Sequence, residues 1–300
     1  MYSINRNNKD RFFKKLFGDS DNRDNLLSLY NALNGTNYTD ASALEINTIE
    51  NVIYMGMAND VSCILDGTMM LSEHQSSVNP NMPLRGLMYF GMLYSKYIET
   101  RSKNIYGERL VKIPNPKYYV LYNGDKDQPD EVRLRLSDAF FHRDGSAEFE
   151  WTATMLNINY GHNNKLMEAC LTLKSYAMFV DKIKVGKKSG LSNEEAIIKA
   201  VDDCIEEGIM SEYLLAHKAE VTQMVLTEYD EAKTMQMFRE EAYEDGRMDG
   251  LKAMVDTLKA ILSDEDAVYN AVIQNDTYST VTKADIHKYY NMPSGAVLTD

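Results

Sequence analysis

Asn59-Asp60-Val61-Ser62-Cys63-Ile64-Leu65-Asp66-Gly67-Thr68-Met69-Met70-Leu71-Ser72-Glu73-His74-Gln75 is the stretch on which the fold turns. Asp-Gly between two mostly apolar runs is a strong local signal for a two-residue β-hairpin turn. With Asp66 and Gly67 as the turn, Leu65 faces Thr68, and counting outward brings Asp60 opposite Glu73. Side chains directly opposite in an antiparallel pair lie roughly 5 Å apart at Cβ, so two acids there repel unless a cation sits between them. A hard divalent cation held by carboxylate oxygens is the simplest such cation. Gln75 shares the face of Glu73, and His74 points to the other.

Asp60 on one strand followed by Glu73-His74-Gln75 on the next resembles the metal site of the PD-(D/E)XK nucleases, with Gln75 where Lys usually stands. Three further segments resemble one branch of that superfamily, the recombination-promoting nuclease and transposase family. They are Lys9–Gly18 continued by Leu26–Gly35, the run from Glu73 to Arg85, and Tyr118–Gly124; together the resemblance covers roughly residues 5–185. It implies a mixed α/β (α+β) fold with a restriction-endonuclease-like core, in which a central mixed sheet is flanked by helices. It also implies a Mg²⁺- or Mn²⁺-dependent endonuclease linked to recombination or transposition in a bacterium. In that role Asp60 and Glu73 would be ligands and catalytic acids, with the His74 backbone carbonyl as a further ligand. The metal would polarise the scissile phosphate and lower the pKa of a bound water. Gln75 can orient a water but supplies no charge. Glu50 is a candidate accessory acid.

Other residues carry two readings each. Asp66 rivals Asp60 as first acid, but turn chemistry explains it. Arg85, on the first turn of the helix after the hairpin, suits a phosphate; pairing with Asp60 or Glu73 would place it there as well. Lys9, Arg11, Lys14 and Lys15 form a basic stripe that could track a nucleic-acid backbone or simply be a solvated helix face. Phe12 and Phe13 beside it read as core.

Composition sets bounds. The 300 residues carry a net charge of −13, which argues against a general nucleic-acid coat. Residues 1–130 hold 14 Lys and Arg against 15 Asp and Glu, so the acidity belongs to the second half. Cys63, Cys170 and Cys204 stand far apart without metal-ligand spacing, as expected of reduced core thiols in a cytoplasmic protein. The first 15 residues lack the apolar core of a secretory signal, and no stretch approaches a membrane span. The five histidines show no zinc spacing, and neither a glycine-rich phosphate loop nor a Gly-x-Ser-x-Gly elbow occurs.

Periodicity predicts one or two helices over 8–34, a strand over 44–54, a helix over 83–102, strands over 117–122, 134–141 and 149–156, and a helix over 165–185. Beyond 186 the chain reads as an acidic, mainly helical region. Ser192-Asn193-Glu194-Glu195 caps its first helix, and 212–262 forms a long charged one with Gly246 and Gly250 as weak points. Two domains follow, 1–185 and 186–300. DNA is the implied partner, with no membrane and with self-association open. The rival class is a nuclease-fold protein without catalysis, acting as a binding or assembly module; Gln75 and the negative charge favour it. RNA in place of DNA is not distinguished.

Overall fold

A computed structural model describes residues 11–47, 61–142, 149–262 and 264–291. Asp66 and Gly67 adopt φ values of 46° and 71°, as a tight hairpin turn with positive φ at both central residues requires. The turn sets the register of β2 (Val61–Leu65) against β3 (Thr68–Gln75), with Leu65 opposite Thr68 and Val61 opposite Ser72. This is the register expected from the sequence.

Strand β1 (Glu45–Ile46) flanks β2, and the six strands among the described residues run in the order β1-β2-β3-β4-β6-β5. β4 (Asn115–Tyr122) lies parallel to β3, and β6 (Thr152–Asn157) parallel to β4. β5 (Glu131–Arg135) closes the sheet antiparallel to β6. The chain thus forms a mixed α/β fold, a mixed sheet flanked by helices with a helical C-terminal region. Strand 134–141 was expected too late: Leu136–Ala139 turns into a short 3₁₀ segment, and pairing with β6 stops at Arg135 opposite Thr152.

β3 is the central strand, buried on both faces from Met69 to His74. Its alternation divides two cores. Met69 and Leu71 join Tyr118, Val120 and Tyr122 under helix α3 (Met82–Thr100). Met70 joins Val61, Cys63 and Leu121 under α1 (Arg11–Phe17), α2 (Arg23–Asn34), α4 (Asn164–Ala169) and α5 (Leu171–Lys188). Phe12 and Phe13 are core, packing edge-on against Phe179 and Tyr176 respectively. The helix expected over 165–185 is divided at Cys170, whose backbone is extended (φ −131°, ψ 91°). Pro83 occupies the first turn of α3, where its missing N–H costs nothing. Gly86 lets that helix lie close on the sheet, because a Cβ there would strike the Tyr118 ring.

Helix α6 (Asn193–Glu206) begins at the expected capping box: the Ser192 hydroxyl accepts from the Glu195 N–H at 3.2 Å, and the Glu195 carboxylate accepts from the Ser192 N–H at 2.9 Å. Helix α7 (Ser211–Lys259) passes through Gly246 and Gly250; its non-helical residue is His217 instead. Contacts divide the chain into two compact units after Asp230. The reason is burial: Ala196, Ile197 and Val201 of α6 and Leu214 and Val221 of α7 complete the first core. In the second unit Leu251 and Val255 pack with Val268 and Val272 of α8 (Glu265–Val272) and Ile286 and Tyr289 of α9 (Lys283–Tyr290). No helix among the described residues is long and apolar enough to cross a membrane.

Candidate functional site

Glu73 lies two residues before the carboxyl end of β3, opposite Val120 of the parallel neighbour. A carboxylate is rare in so enclosed a position, and Glu73 is only 1% exposed. Its charge is answered from α3. Arg85 Nη2 lies 3.1 Å from Glu73 Oε2 and donates to Tyr89 Oη at 3.0 Å. Arg85 and Tyr89 stand four residues apart on one face of the helix, so a single helical turn delivers both to the same strand residue.

The three groups perturb one another. Burial by itself would lower the Arg85 guanidinium, but the Glu73 charge and the Tyr89 hydroxyl outweigh it and hold the guanidinium above its ordinary range. Burial first, then the charge of Glu73, pushes the Tyr89 phenol up to about 12. At neutral pH this is a guanidinium and a neutral phenol around a buried acid.

Gln75 ends β3, half-buried, opposite Tyr122. His74 points to the other core, as expected. It is 2% exposed, stacks on Phe13 with ring centroids 5.1 Å apart, and lies 3.1 Å from Tyr176 Oη through Nε2. Its backbone belongs to the β3–β4 ladder opposite Leu121. Asp66 is held by the turn and accepts from Tyr38 Oη at 2.5 Å. Lys14 is half-buried on α1; its neighbour Lys15 pairs with Asp19 at 2.9 Å. Asp60, Glu50 and Lys9 lie outside the described residues. Of the residues singled out in the sequence, the structure therefore brings Glu73 and Arg85 together, with Gln75 two residues along the same strand face. Tyr89 was missed; the available signal was its spacing of four from Arg85 on an amphipathic helix.

At the carboxyl ends of β4 and β6 a lysine closes the edge. Lys184 Nζ donates to Asn159 Oδ1 at 2.8 Å and the Gly124 carbonyl at 3.2 Å, and also to the Asn123 carbonyl. This amine is engaged by the turns that follow the strands.

A carboxylate is the donor a hard cation prefers, so Glu73 fits Mg²⁺ or Mn²⁺ as one ligand. Among the described residues no three His, Cys, Asp or Glu side chains converge to hold a metal ion. Arg85 already faces Glu73, so a metal ion there would have to share or displace the guanidinium. No protein-family model, curated protein or solved structure matches the chain.

Proposed function

We propose that the chain is a metal-dependent DNA endonuclease of the PD-(D/E)XK kind, acting in recombination or transposition in a bacterial cytoplasm. Asp60 and Glu73 would hold Mg²⁺ or Mn²⁺ with the His74 carbonyl, and Gln75 would orient the attacking water. The metal would supply Lewis acidity and a more acidic water. Arg85, with Lys9 and Lys14 at lower weight, would meet the DNA phosphates, and Glu50 would be an accessory acid. The observation that carries this reading is Glu73 itself. It is a buried acid on the central strand, in a hairpin whose register from Leu65 to Val61 is the one that prompted the pairing of Asp60 with Glu73.

The test is nicking of supercoiled plasmid in Mg²⁺ or Mn²⁺ by the wild type, Asp60→Ala and Glu73→Ala. Cleavage by the wild type and its loss in both variants is the expected result. Equal nicking by all three would remove the site assignment.

A second reading is a nuclease-fold protein without catalysis, serving as a binding or assembly module. It is favoured by the ion pair that already neutralises Glu73 and by the neutral Gln75. Titration calorimetry separates the two: no Mg²⁺ or Mn²⁺ uptake at millimolar concentration, with a defined oligomer in solution, supports the module.

A further inference from the structure

We propose that the open edge of β5 (Glu131–Arg135) pairs antiparallel with the same strand of a second copy of this chain, about a two-fold axis at Arg133, so that two six-stranded sheets join edge to edge. The proposal is independent of the nuclease reading and holds for a catalytic or a non-catalytic chain.

The edge is open, and its length is fixed. β5 is an outer strand of the sheet. The Asn157 N–H donates to the Asp130 carbonyl at 2.9 Å and the Leu136 N–H to the Trp151 carbonyl at 2.8 Å, so the even-numbered residues turn their main chain toward β6. By antiparallel alternation Glu131, Arg133 and Arg135 turn theirs away from it. Among the described residues no hydrogen bond reaches those outward groups. The open stretch is bounded at both ends. Pro129 has no N–H to offer, and the Ser137 N–H already donates to Glu150 Oε1 at 3.2 Å.

Charge and polarity select the occupant. Setting Arg133 opposite its own copy places Glu131 opposite Arg135, twice by symmetry. These side chains are exposed, opposite in charge and, so paired, roughly 5 Å apart at Cβ. On the other face Val132 meets Leu134, both half-buried against the core under α3. The outward N–H and C=O groups of Glu131, Arg133 and Arg135 then all find partners on the second copy. An edge charged with a single sign repels every copy of itself. This one reads Glu-Val-Arg-Leu-Arg and repels only at the axis, where the two Arg133 side chains meet. That one like-charged pair weakens the association and marks its register: neutralising Arg133 strengthens the dimer, whereas reversing Arg135 weakens it.

The experiment is sedimentation equilibrium of the full chain from micromolar to millimolar concentration. The buffer holds about 0.15 M salt, which screens the repulsion between two acidic chains beyond ~8 Å. The wild type should follow a monomer–dimer equilibrium. Glu131→Arg and Arg135→Glu should each weaken it about tenfold or more, because two symmetric pairs turn from attraction to repulsion. An equimolar mixture of those two variants should recover a mixed dimer, since each supplies the charge that the other lacks. Arg133→Gln should tighten the dimer about twofold to fivefold. Arg133→Pro removes the outward N–H at the axis, at an edge position where proline is tolerated, and should abolish the dimer while a cooperative thermal melt is kept. The mixture carries the test if the proline variant does not fold. A wild type that stays monomeric throughout, or a dimer indifferent to these substitutions, would overturn the proposal. So would a weaker dimer in Arg133→Gln, which would remove the axis from that residue.

Discussion

Arg85 reaches from the first turn of α3 to Glu73 on the central strand, Nη2 to Oε2, at 3.1 Å. A buried carboxylate is thereby paired, and the helix that follows the hairpin is tied to the strand that precedes it. Such a pair adds little net stability over an apolar replacement, but breaking it leaves a buried charge exposed to its full desolvation cost.

Arg85→Met should therefore destabilise the first unit by about 3 kcal/mol. Glu73→Gln should cost less, and the double variant should recover part of the loss. Urea unfolding of the four proteins measures this cycle. Purely additive losses would show that the two side chains do not support each other.

Alkaline pH should weaken the fold. Burial pushes Tyr89 and Tyr94 each up to about 12, Tyr89 further helped by the Glu73 charge. A phenol whose folded pKa is raised holds its proton longer in the folded state than in the unfolded one. Its contribution is complete below about pH 10, the ordinary tyrosine value, and is lost as pH rises toward 12 at up to about 1.4 kcal/mol per pH unit. Unfolding free energy followed from pH 8 upward should decline in that window, and Tyr89→Phe should flatten the decline. A profile unchanged by the substitution would contradict it.

Gly86→Ala should destabilise by roughly 1–3 kcal/mol, because its methyl group would strike the Tyr118 ring and push α3 off the sheet. Since α3 carries Arg85 and Tyr89, the same variant should also weaken the Arg85–Glu73 pair. Thermal melting of Gly86→Ala, alone and combined with Arg85→Met, tests both halves: a loosened pair makes the second substitution cost less in the Gly86→Ala background.

Asp66→Asn should leave cation binding as in the wild type and cost less than about 1 kcal/mol, since Asn also tolerates positive φ. Glu73→Gln should abolish the binding. Titration of both variants tells the turn acid from the strand acid; loss of binding in Asp66→Asn would restore Asp66 as a ligand.

The hairpin was legible in the sequence because its determinants are local. Asp66-Gly67 requires positive φ at both residues, and that turn dictates which residues of β2 and β3 meet. The sides taken by Glu73 and His74 follow from the two-residue period of a strand. The Ser192 cap and the helix from Pro83 are local in the same sense. Helix boundaries set by packing were not. Neither the division at Cys170 nor the non-helical backbone at His217 has a breaker residue to announce it.

The sequence by itself determined the hairpin register and the faces taken by Glu73, His74 and Gln75 along the strand; that Glu73 is buried between the strand and α3 came from the tertiary structure. Only the tertiary structure decided what that acid faces. Arg85 was read as fit for either a phosphate or a carboxylate, because an arginine on a helical first turn can reach both. The choice depended on how closely α3 settles on β3 and β4, which the missing side chain of Gly86 permits, and on Tyr89 arriving one turn later to share the guanidinium. Those are distances between elements far apart along the chain, and no local pattern encodes them.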